Sequence, residues 1–438
     1  MPSVVHDSVG TIRKAPRGVG AAVVVGSALE WFDFYLYASM AALVFGHVFF
    51  PPGNDAAATM ASVATFAVGF LARPVGGIVF GALGDRIGRK KVLSWTFVLM
   101  GVSSAGIGLL PSYASAGLVA PVLLVVLRLL QGLGAGAEFG GAIAVAYEHA
   151  DPRKRGRQGS WPALGVNVGL LVSSLAVAGL TTLDKEFLHG FGWRIPFLAS
   201  FLLVGVGLWV RRRVPETPEF ENLVRSKKNR PRGWANRPLV KLFRSDWRAL
   251  TVVMVITIGY NGVSYVFKTF SLAYLTNFRG VPANIGALGI SIASGMAIVT
   301  VPIAGWLSDR VGAKKVVVAG AVATGLLAFP FFWLLDTGTS WFIWLGLVLA
   351  TGIVVPAMLS AQGAFLAKQF PAQVRSTGLG TGREVGGAVS GGLAPLAALA
   401  IVEASATHAT WGVSLLFLAG ALCIGLGALA DQSRGALN

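Results

Sequence analysis

Eight charged side chains interrupt the apolar stretches of this sequence, and they could bind or conduct ions. Four are acidic and four are basic: Glu30, Asp33, Glu138 and Glu384, against Arg73, Arg128, Lys268 and Arg383. A charge at the centre of a bilayer costs roughly 2.5 to 3.5 kcal/mol on insertion scales, so such residues face a protein interior or a wet cavity. Because buried ion pairs seldom stabilise a protein more than apolar packing does, the set predicts a pathway for protons or a charged solute.

Two carboxylates and a phenol share one face of the first apolar stretch. Glu30, Asp33 and Tyr37 are spaced i, i+3 and i+7, which places them on one side of a helix. Neighbouring carboxyl groups in a desolvated site are suited to exchanging a proton near neutral pH. We predict that this face lines the transport cavity, with Asp33 as the proton carrier and Glu30 as its partner or rival. The alternative is a permanent structural pair between either carboxylate and an arginine.

A second polar stripe runs along the fourth apolar stretch. Arg128, Gln131 and Glu138 are spaced i, i+3 and i+10, with small residues between them. The glycines around this stripe allow close helix approach, and we assign them to packing. We predict that the polar side chains of the stripe face the same pathway as Asp33.

The remaining basic residues suggest how a substrate is held. Arg73 precedes a proline, and its guanidinium either binds a substrate carboxylate or serves as the fixed counter-ion of Glu30 or Asp33. Asn261, Tyr265 and Lys268 share one face of the seventh stretch, where the lone ammonium predicts an anchor for an anion. The alternative is a lysine that snorkels to water at the outer end of its helix.

Arg383 and Glu384 lie one to two turns inside one end of the eleventh stretch. They are candidates for substrate binding, or alternatively form a local gate pair.

Composition places these residues in a polytopic membrane protein. The chain has 438 residues, of which 54% are hydrophobic and 13% charged, with a mean hydropathy of +0.69. These values exclude an ordinary soluble domain. The single cysteine excludes a disulfide framework and a cysteine-based metal site, and we predict no metal.

Twelve apolar stretches reach the roughly 20 residues needed to span a bilayer as a helix. Backbone polar groups in lipid must be satisfied within the segment, so we predict an all-α membrane protein with two pseudo-symmetric six-helix bundles. The predicted domains are an N-terminal segment, a first bundle, a linker, a second bundle and a tail: 1–17, 18–210, 211–248, 249–430 and 431–438. The twelve stretches fall at about 18–45, 58–82, 92–110, 117–147, 158–182, 191–210, 249–277, 283–307, 316–335, 340–367, 378–402 and 410–430.

The basic residues concentrate in alternate connections between these stretches. The linker alone carries twelve basic and four acidic residues, whereas the opposite connections hold only Lys185, Arg194 and Arg279. By the positive-inside rule, this asymmetry predicts a plasma-membrane protein with both termini in the cytoplasm. The net charge of +17 is therefore a topology signal, and we predict no nucleic-acid partner.

One short charged motif occurs twice, 224 positions apart, at residues 81–91 and 305–315. The repeat shows that the chain consists of two related halves. We predict that charges from both copies and from neighbouring connections form a gating network that breaks and reforms during transport. Its members would be Gly81, Asp85, Arg86, Gly88, Arg89, Glu148, Arg155, Asp309 and Arg310.

The repeated motif resembles the conserved loop motif of the major facilitator superfamily. Arg-Leu-Leu-Gln-Gly from Arg128 resembles its fourth-helix motif, whose arginine is linked to proton transfer. Five stretches further resemble its metabolite:proton symporters: residues 29–37, 70–74, 136–141, 192–197 and 215–220. The resemblance implies a secondary transporter that couples uptake of a small polar metabolite to the proton motive force, without a cofactor. Known substrates of that group include shikimate, citrate, 2-oxoglutarate, and proline or betaine.

The resemblance assigns functional positions residue by residue. Asp33, Arg73, Arg128 and Glu138 match positions of the symporter group, whereas Lys268 is not part of that pattern and would mark this protein's own substrate. The osmosensing proline/betaine member carries a C-terminal coiled coil, for which residues 431–438 leave no room. The interior cations favour a monoanion such as shikimate. We expect a monomer that works in the lipid bilayer.

Three rival functions remain at this point. The first is symport of a proline- or betaine-type zwitterion. The second is proton-coupled export, although Gly-Ser-Trp-Pro-Ala-Leu-Gly at residues 159–165 poorly matches an antiporter motif. The third is a membrane-embedded enzyme, which would need a nucleophile or metal set within a span, and every histidine lies in a connection or at a span end. No Walker-type loop is present to bind ATP, which leaves a proton gradient as the energy source.

Overall fold

The computed structural model describes residues 18–53, 55–212, 215–227, 238–407 and 409–432. Within these ranges the chain is helical and contains no β-strand. The expected N-terminal segment 1–17, the middle of the linker, and Arg434 in the tail lie outside the described residues.

Eleven described helices are long and apolar enough to cross a membrane, and a bent pair forms a twelfth if it is one span. This agrees with the expected all-helical architecture. We number them α1 to α12 in chain order: Val19–Leu43, Asp55–Ile87, Arg89–Leu109, Val119–Glu148, Trp161–Thr181, Arg194–Arg212, Trp247–Asn277, Ala283–Val311, Ala313–Leu327 with Pro330–Asp336, Ser340–Lys368, Arg375–Glu403 and Trp411–Leu429.

Helix α9 is the bent pair. Its two segments meet at an angle of 47°, and Pro330 begins the second one. Proline lacks the amide hydrogen of a continuous helix and its ring clashes with the preceding turn, so the break falls there.

The helices pack as two halves, α1–α6 and α7–α12. Within the first half α1 packs on α5 and α2 on α4, and within the second half α7 packs on α11. Helices α2 and α11 meet across the halves, as do α5 and α8, so the halves touch along two equivalent seams. We call the end of the bundle that carries Asp85 and Asp309 the motif end.

Glycines on α4 bring it against α2. A Cβ atom at Gly132 would collide with the Gly69 carbonyl oxygen, and one at Gly136 with the Arg73 carbonyl oxygen. Small residues at such contacts permit backbone approach, which is the main source of helix association in lipid. The sequence-based assignment of these glycines to packing agrees with this geometry.

Substituting Gly132 with alanine should therefore destabilise the protein. We expect Gly132→Ala to lower the thermal transition in detergent, because overpacking a tight contact typically costs about 1 to 3 kcal/mol. Gly205→Ala is the matched control, since a Cβ atom at Gly205 on α6 meets nothing within 4 Å. Equal melting temperatures for the two variants would contradict the tight contact.

Helices α7 and α10 each contain a π-helical turn. One spans Val266–Phe270 in α7 and the other Val348–Val354 in α10. Such turns interrupt the regular register and occur frequently at functional sites. The first of them carries Lys268.

Candidate functional site

A cavity of about 500 Å³ lies between the two halves, and we call it the central cavity. Six helices line it, three from each half: α1, α4 and α5, and α7, α10 and α11. Its lining residues are Trp31, Tyr35, Phe139, Val166, Asn167, Tyr260, Asn261, Ser264, Tyr265, Lys268, Val355, Pro356, Leu359 and Arg383.

Two cations line the central cavity and no carboxylate does among its described lining residues. Lys268 is half-buried and has no hydrogen bond or ion pair with any described residue. Arg383 is buried, with its Nε and Nη1 atoms lacking a hydrogen-bond partner, and its Cζ atom lies 4.2 Å from the Phe139 ring centroid. These unpaired donors give the cavity a positive potential suited to an anion.

The position of Lys268 bears on the snorkelling alternative. It lies nine residues before Asn277, the last residue of α7, or about 13 Å along the helix axis. Its neighbours around the cavity are Asn261, Ser264 and Tyr265. This placement favours the anchor over a lysine that reaches water at the helix end.

Several lining residues were missed by the sequence-based prediction. Trp31 and Tyr35 face the cavity, rather than Asp33 and Tyr37, because they lie on a neighbouring side of α1 about 100° or more around the axis. Asn167 and Tyr260 add to the polar and aromatic lining. From the sequence alone, an aromatic residue in an apolar helix is assigned to packing. No local signal therefore marked Trp31 and Tyr35 as cavity-lining residues.

The side chains of Glu30, Asp33 and Tyr37 on α1 lie in two different environments. The sequence predicts instead that this whole face of α1 lines the transport cavity. Asp33 points into the first half, where its Oδ1 accepts a hydrogen bond from Ser200 at 2.6 Å and its Oδ2 accepts one from Ser104 at 2.7 Å. The Tyr37 hydroxyl is hydrogen-bonded to Thr65 on α2, inside the same half. Both residues are buried and neither lines the central cavity.

A chain of hydrogen bonds links Asp33 to Arg128. Gln131 Nε2 donates to Ser104 Oγ at 2.7 Å, and Ser104 in turn donates to Asp33. Arg128 donates through Nη1 to Gln131 Oε1, and its Cζ atom lies 3.7 Å from the Tyr37 ring centroid. The carboxylate and the guanidinium are therefore coupled through two polar side chains instead of a direct ion pair. We call Asp33, Ser104, Gln131 and Arg128 the relay.

Arg73 holds two carboxylates, one from each half. Its Nη2 lies 3.1 Å from Glu30 Oε1 on α1, and its Nε lies 2.7 Å from Glu384 Oε2 on α11. The three side chains are 6%, 1% and 8% exposed. We call them the triad. The structure thus gives Arg73 the counter-ion geometry with Glu30, and pairs Glu384 with Arg73 instead of making it a local gate with Arg383.

The triad and the relay meet at a smaller cavity of about 280 Å³. Glu30 and Arg73 of the triad line it together with Arg128 and Gln131 of the relay. The two charge clusters are therefore neighbours. Glu138 lies elsewhere, where its Oε2 accepts a hydrogen bond from Thr96 Oγ1 on α3 at 3.4 Å, away from the central cavity.

At the motif end, the first motif copy binds the start of α11. Asp85 accepts hydrogen bonds from the Ser376 and Thr377 backbone amides at 3.2 and 2.7 Å, and from the Thr377 hydroxyl at 2.7 Å. A carboxylate is stabilised there because the first amides of a helix lack internal partners. Gly81 lets the two backbones meet, since its Cβ atom would lie 3.0 Å from the Ser376 carbonyl oxygen.

A buried charge cluster surrounds this contact. Arg89 lies 3.3 Å from Asp85 and is also paired with Glu148, and Arg375 from the second half binds Glu148 at 2.6 Å. Arg375 is also paired with Glu219 of the linker, and the Arg155 guanidinium lies 3.9 Å from Glu219. The predicted gating network therefore includes Arg375 and Glu219, which sequence reasoning missed because both lie far along the chain from the motif.

The second motif copy repeats the carboxylate contact on the other seam. Asp309 accepts hydrogen bonds from the Gly156 and Arg157 amides at 2.6 and 3.0 Å, at the turn that precedes α5. The glycine before the next helix has a positive φ in both copies, +114° at Gly88 and +97° at Gly312, which explains the residue type.

The predicted roles of Arg86 and Arg310 need correction. Arg86 is exposed, and the Arg310 guanidinium stacks 3.9 Å from the Trp306 ring centroid. Adjacent helical residues point about 100° apart, so Arg86 does not share the face of Asp85 on α2. Arg89 reaches Asp85 from the start of α3, because the chain turns at Gly88. The second copy has Ala313 where the first has Arg89, so the buried arginine exists in one half.

The linker also touches the first motif copy. Glu216 accepts hydrogen bonds from the amides of Arg89 at 3.1 Å and Lys90 at 3.3 Å, which are the first residues of α3. Thr217 caps the linker helix Pro218–Lys227, with its Oγ1 accepting a hydrogen bond from Phe220 N at 3.4 Å.

Comparisons with known proteins agree with this architecture. The profile of the Major Facilitator Superfamily matches residues 23–395 and 269–434. The shikimate transporter of Escherichia coli (strain K12) is 36% identical over 430 residues, which cover 96% of this chain and 95% of the relative. The proline/betaine transporter of the same strain is 35% identical over 403 residues, covering 90% and 79%.

Solved structures share the fold at low identity. The proton:xylose symporter XylE bound to 6-bromo-6-deoxy-D-glucose aligns with a TM-score of 0.73 at 16% identity, over 94% of each chain. The human organic anion transporter MFSD10 aligns with a TM-score of 0.62 at 18% identity, over 95% of this chain and 99% of that one. From the profile match and the relatives, the chain belongs to the Major Facilitator Superfamily of membrane transporters.

Proposed function

We propose that this protein couples the uptake of a small organic anion, a monocarboxylate of the shikimate type, to the inward movement of protons. The observation that carries the proposal is the pair of unpartnered cations, Lys268 and Arg383, in a central cavity whose described lining has no carboxylate. The similarity to the shikimate transporter supports the same substrate class.

The rest of the lining fits a hydroxylated ring acid. Asn167, Asn261 and Ser264 offer amide and hydroxyl groups for substrate hydroxyls, while Trp31 and Tyr35 offer flat apolar surfaces. A zwitterion such as betaine fits this cavity less well, because the two cations would repel its ammonium group.

Asp33 is our candidate proton carrier. Its carboxylate is buried and accepts two hydroxyl hydrogen bonds, and the relay connects it to Arg128 beside the smaller cavity. Protonation of Asp33 would change the hydrogen-bond acceptors available to Ser104 and Gln131. Because Arg128 donates to Gln131, its guanidinium would then reorient. The proton motive force would supply the energy.

We place the motif end in the cytoplasm, because the basic connections gather there. In this arrangement the seams at Asp85 and Asp309 close the cytoplasmic side, and transport requires both to break as the halves rock. We place the protein in the plasma membrane and propose that the monomer is the working unit, because the cavity is built from one chain.

Uptake measurements on reconstituted vesicles test the proposal. The full chain is supplied with an inward proton gradient and with labelled shikimate, citrate, 2-oxoglutarate, proline or betaine. We expect shikimate-type anions to accumulate and a protonophore to abolish the accumulation. Accumulation of proline or betaine alone would indicate the zwitterion symporter, and gradient-driven loss of preloaded solute would indicate an exporter. No proton dependence for any solute would overturn the proposal.

A further inference from the structure

The polar groups of the central cavity are unevenly divided between the two halves. Both cations, Lys268 and Arg383, belong to the second half, on α7 and α11. The described lining of the first half carries three polar side chains, Trp31 and Tyr35 on α1 and Asn167 on α5. A substrate anion that contacts both halves therefore needs a hydrogen-bond donor from one of these three.

Among these side chains, the indole of Trp31 has an unused donor. Its Nε1 atom is buried and has no hydrogen-bond partner among the described residues. Asn167, by contrast, already donates through Nδ2 to the Ala163 carbonyl oxygen at 2.8 Å, and the Tyr35 hydroxyl interacts electrostatically with two tyrosines of α7. The indole N–H can only donate, and a buried donor without an acceptor is costly. An acceptor on the substrate would remove that cost.

Neighbouring side chains fix the position of the Trp31 ring. Its centroid lies 5.3 Å from that of Phe34 and 6.4 Å from that of Phe139, in edge-to-face arrangements. The Arg73 Cζ atom lies 5.8 Å from the Trp31 ring centroid, which is a cation–π distance. Because the ring is already ordered, a hydrogen bond from its N–H costs little side-chain entropy on binding.

Phe139 brings the indole close to a donor of the second half. Its ring packs against Trp31 on one hand and lies 4.2 Å from the Arg383 Cζ atom on the other. The Nε and Nη1 atoms of Arg383 also lack a hydrogen-bond partner among the described residues. A carboxylate has two oxygens with about four lone-pair sites, so it can accept from an indole and a guanidinium at the same time.

We infer that the Trp31 indole N–H donates a hydrogen bond to the substrate carboxylate, and that through this bond the first half holds the anion bound by the cations of the second half. This inference rests on the proposed function and adds a neutral donor to its two cations. A carboxylate bound from both sides of the cavity joins the halves, so the N–H helps to close them around the substrate.

An isosteric replacement of the indole tests the hydrogen bond while keeping the shape of the cavity. In β-(3-benzothienyl)alanine a sulfur atom replaces the N–H and the bicyclic ring is kept. At position 31 we expect this residue to raise the KM for proton-driven shikimate uptake roughly tenfold with little change in kcat, the effect that about 1.4 kcal/mol produces. The same replacement at Trp95, which is 56% exposed on α3, is the matched control and should leave the KM unchanged.

A second ligand identifies the group that accepts the hydrogen bond. Cyclohex-1-ene-1-carboxylate has the carboxylate of shikimate without its hydroxyl groups, and its inhibition constant against shikimate uptake measures its binding. We expect the replacement at position 31 to raise this constant by the same factor of roughly ten, because the carboxylate is common to both ligands. A rise for shikimate alone would show that the N–H binds a hydroxyl group, and would overturn the inference.

Two further outcomes would overturn it. An unchanged KM after the replacement at position 31 would show that Trp31 contributes only the surface of its ring. An equal rise after the replacements at positions 31 and 95 would show a general effect on transport. In each case the unsubstituted protein still accumulates shikimate, whereas failure of the proposed function would appear as no shikimate accumulation by the unsubstituted protein.

Discussion

Asp33→Asn should abolish accumulation of substrate above the external concentration while leaving exchange of substrate for substrate partly active. Asparagine matches the shape of aspartate, and its amide oxygen can keep one of the hydrogen bonds that Ser104 and Ser200 donate at 2.7 and 2.6 Å, but it cannot carry a proton. The relay to Arg128 would then be fixed in one state. Vesicles loaded with unlabelled substrate measure exchange, and an imposed proton gradient measures accumulation.

The pair of assays separates a coupling defect from a folding defect. A misfolded variant would lose both activities, whereas loss of accumulation alone identifies the proton carrier. Asp184→Asn is the control, since Asp184 is exposed in the connection between α5 and α6. Unchanged accumulation in Asp33→Asn would remove Asp33 from the mechanism.

Lys268→Gln should raise the apparent KM for an anionic substrate by roughly 10- to 100-fold, since a hydrogen bond to a charged group contributes about 1.5 to 3 kcal/mol. Lys268 has no partner among the described residues, so its loss leaves no orphaned carboxylate and should not disturb the fold. Initial rates of proton-driven uptake at varied substrate concentration give the KM.

Two further variants sharpen this measurement. Lys268→Arg keeps the charge and should retain most of the affinity, and Lys368→Gln removes an exposed lysine at the end of α10 and should change nothing. A normal KM in Lys268→Gln would place the anion on Arg383 alone. An effect of equal size in Lys368→Gln would show that general electrostatic attraction, and not contact in the cavity, sets the affinity.

The seams at the motif end account for the repeated sequence motif. Asp85 binds the start of α11 and Asp309 binds the turn before α5, so the same carboxylate geometry closes two symmetry-related contacts. The copies differ in charge, because Arg89 in the first has Ala313 as its counterpart in the second. Glu148 forms buried ion pairs with Arg89 and with Arg375, and these pairs reinforce the first seam. The second seam depends on the hydrogen bonds that backbone amides donate to Asp309.

The sequence by itself determined the class of protein, the helix positions and the two-fold internal repeat. Those features follow from the absence of water in the bilayer, which requires a span to satisfy its own backbone polar groups, and from apolar runs of about 20 residues, the length of a spanning helix. The sequence also identified the charged residues around which the site is built. A charge within an apolar run costs free energy in the bilayer wherever it lies, so such residues stand out without a structure.

Only the tertiary structure decided which of these charges meet. Helical spacing put Glu30, Asp33 and Tyr37 on one face, yet the face is about 60° wide and borders three neighbours, so Asp33 turns to Ser104 and Ser200 while Glu30 turns to Arg73. The partners Glu384, Arg375 and Glu219 lie more than a hundred residues away along the chain. Periodicity describes the faces of one helix, and the pairing of faces depends on how twelve helices pack.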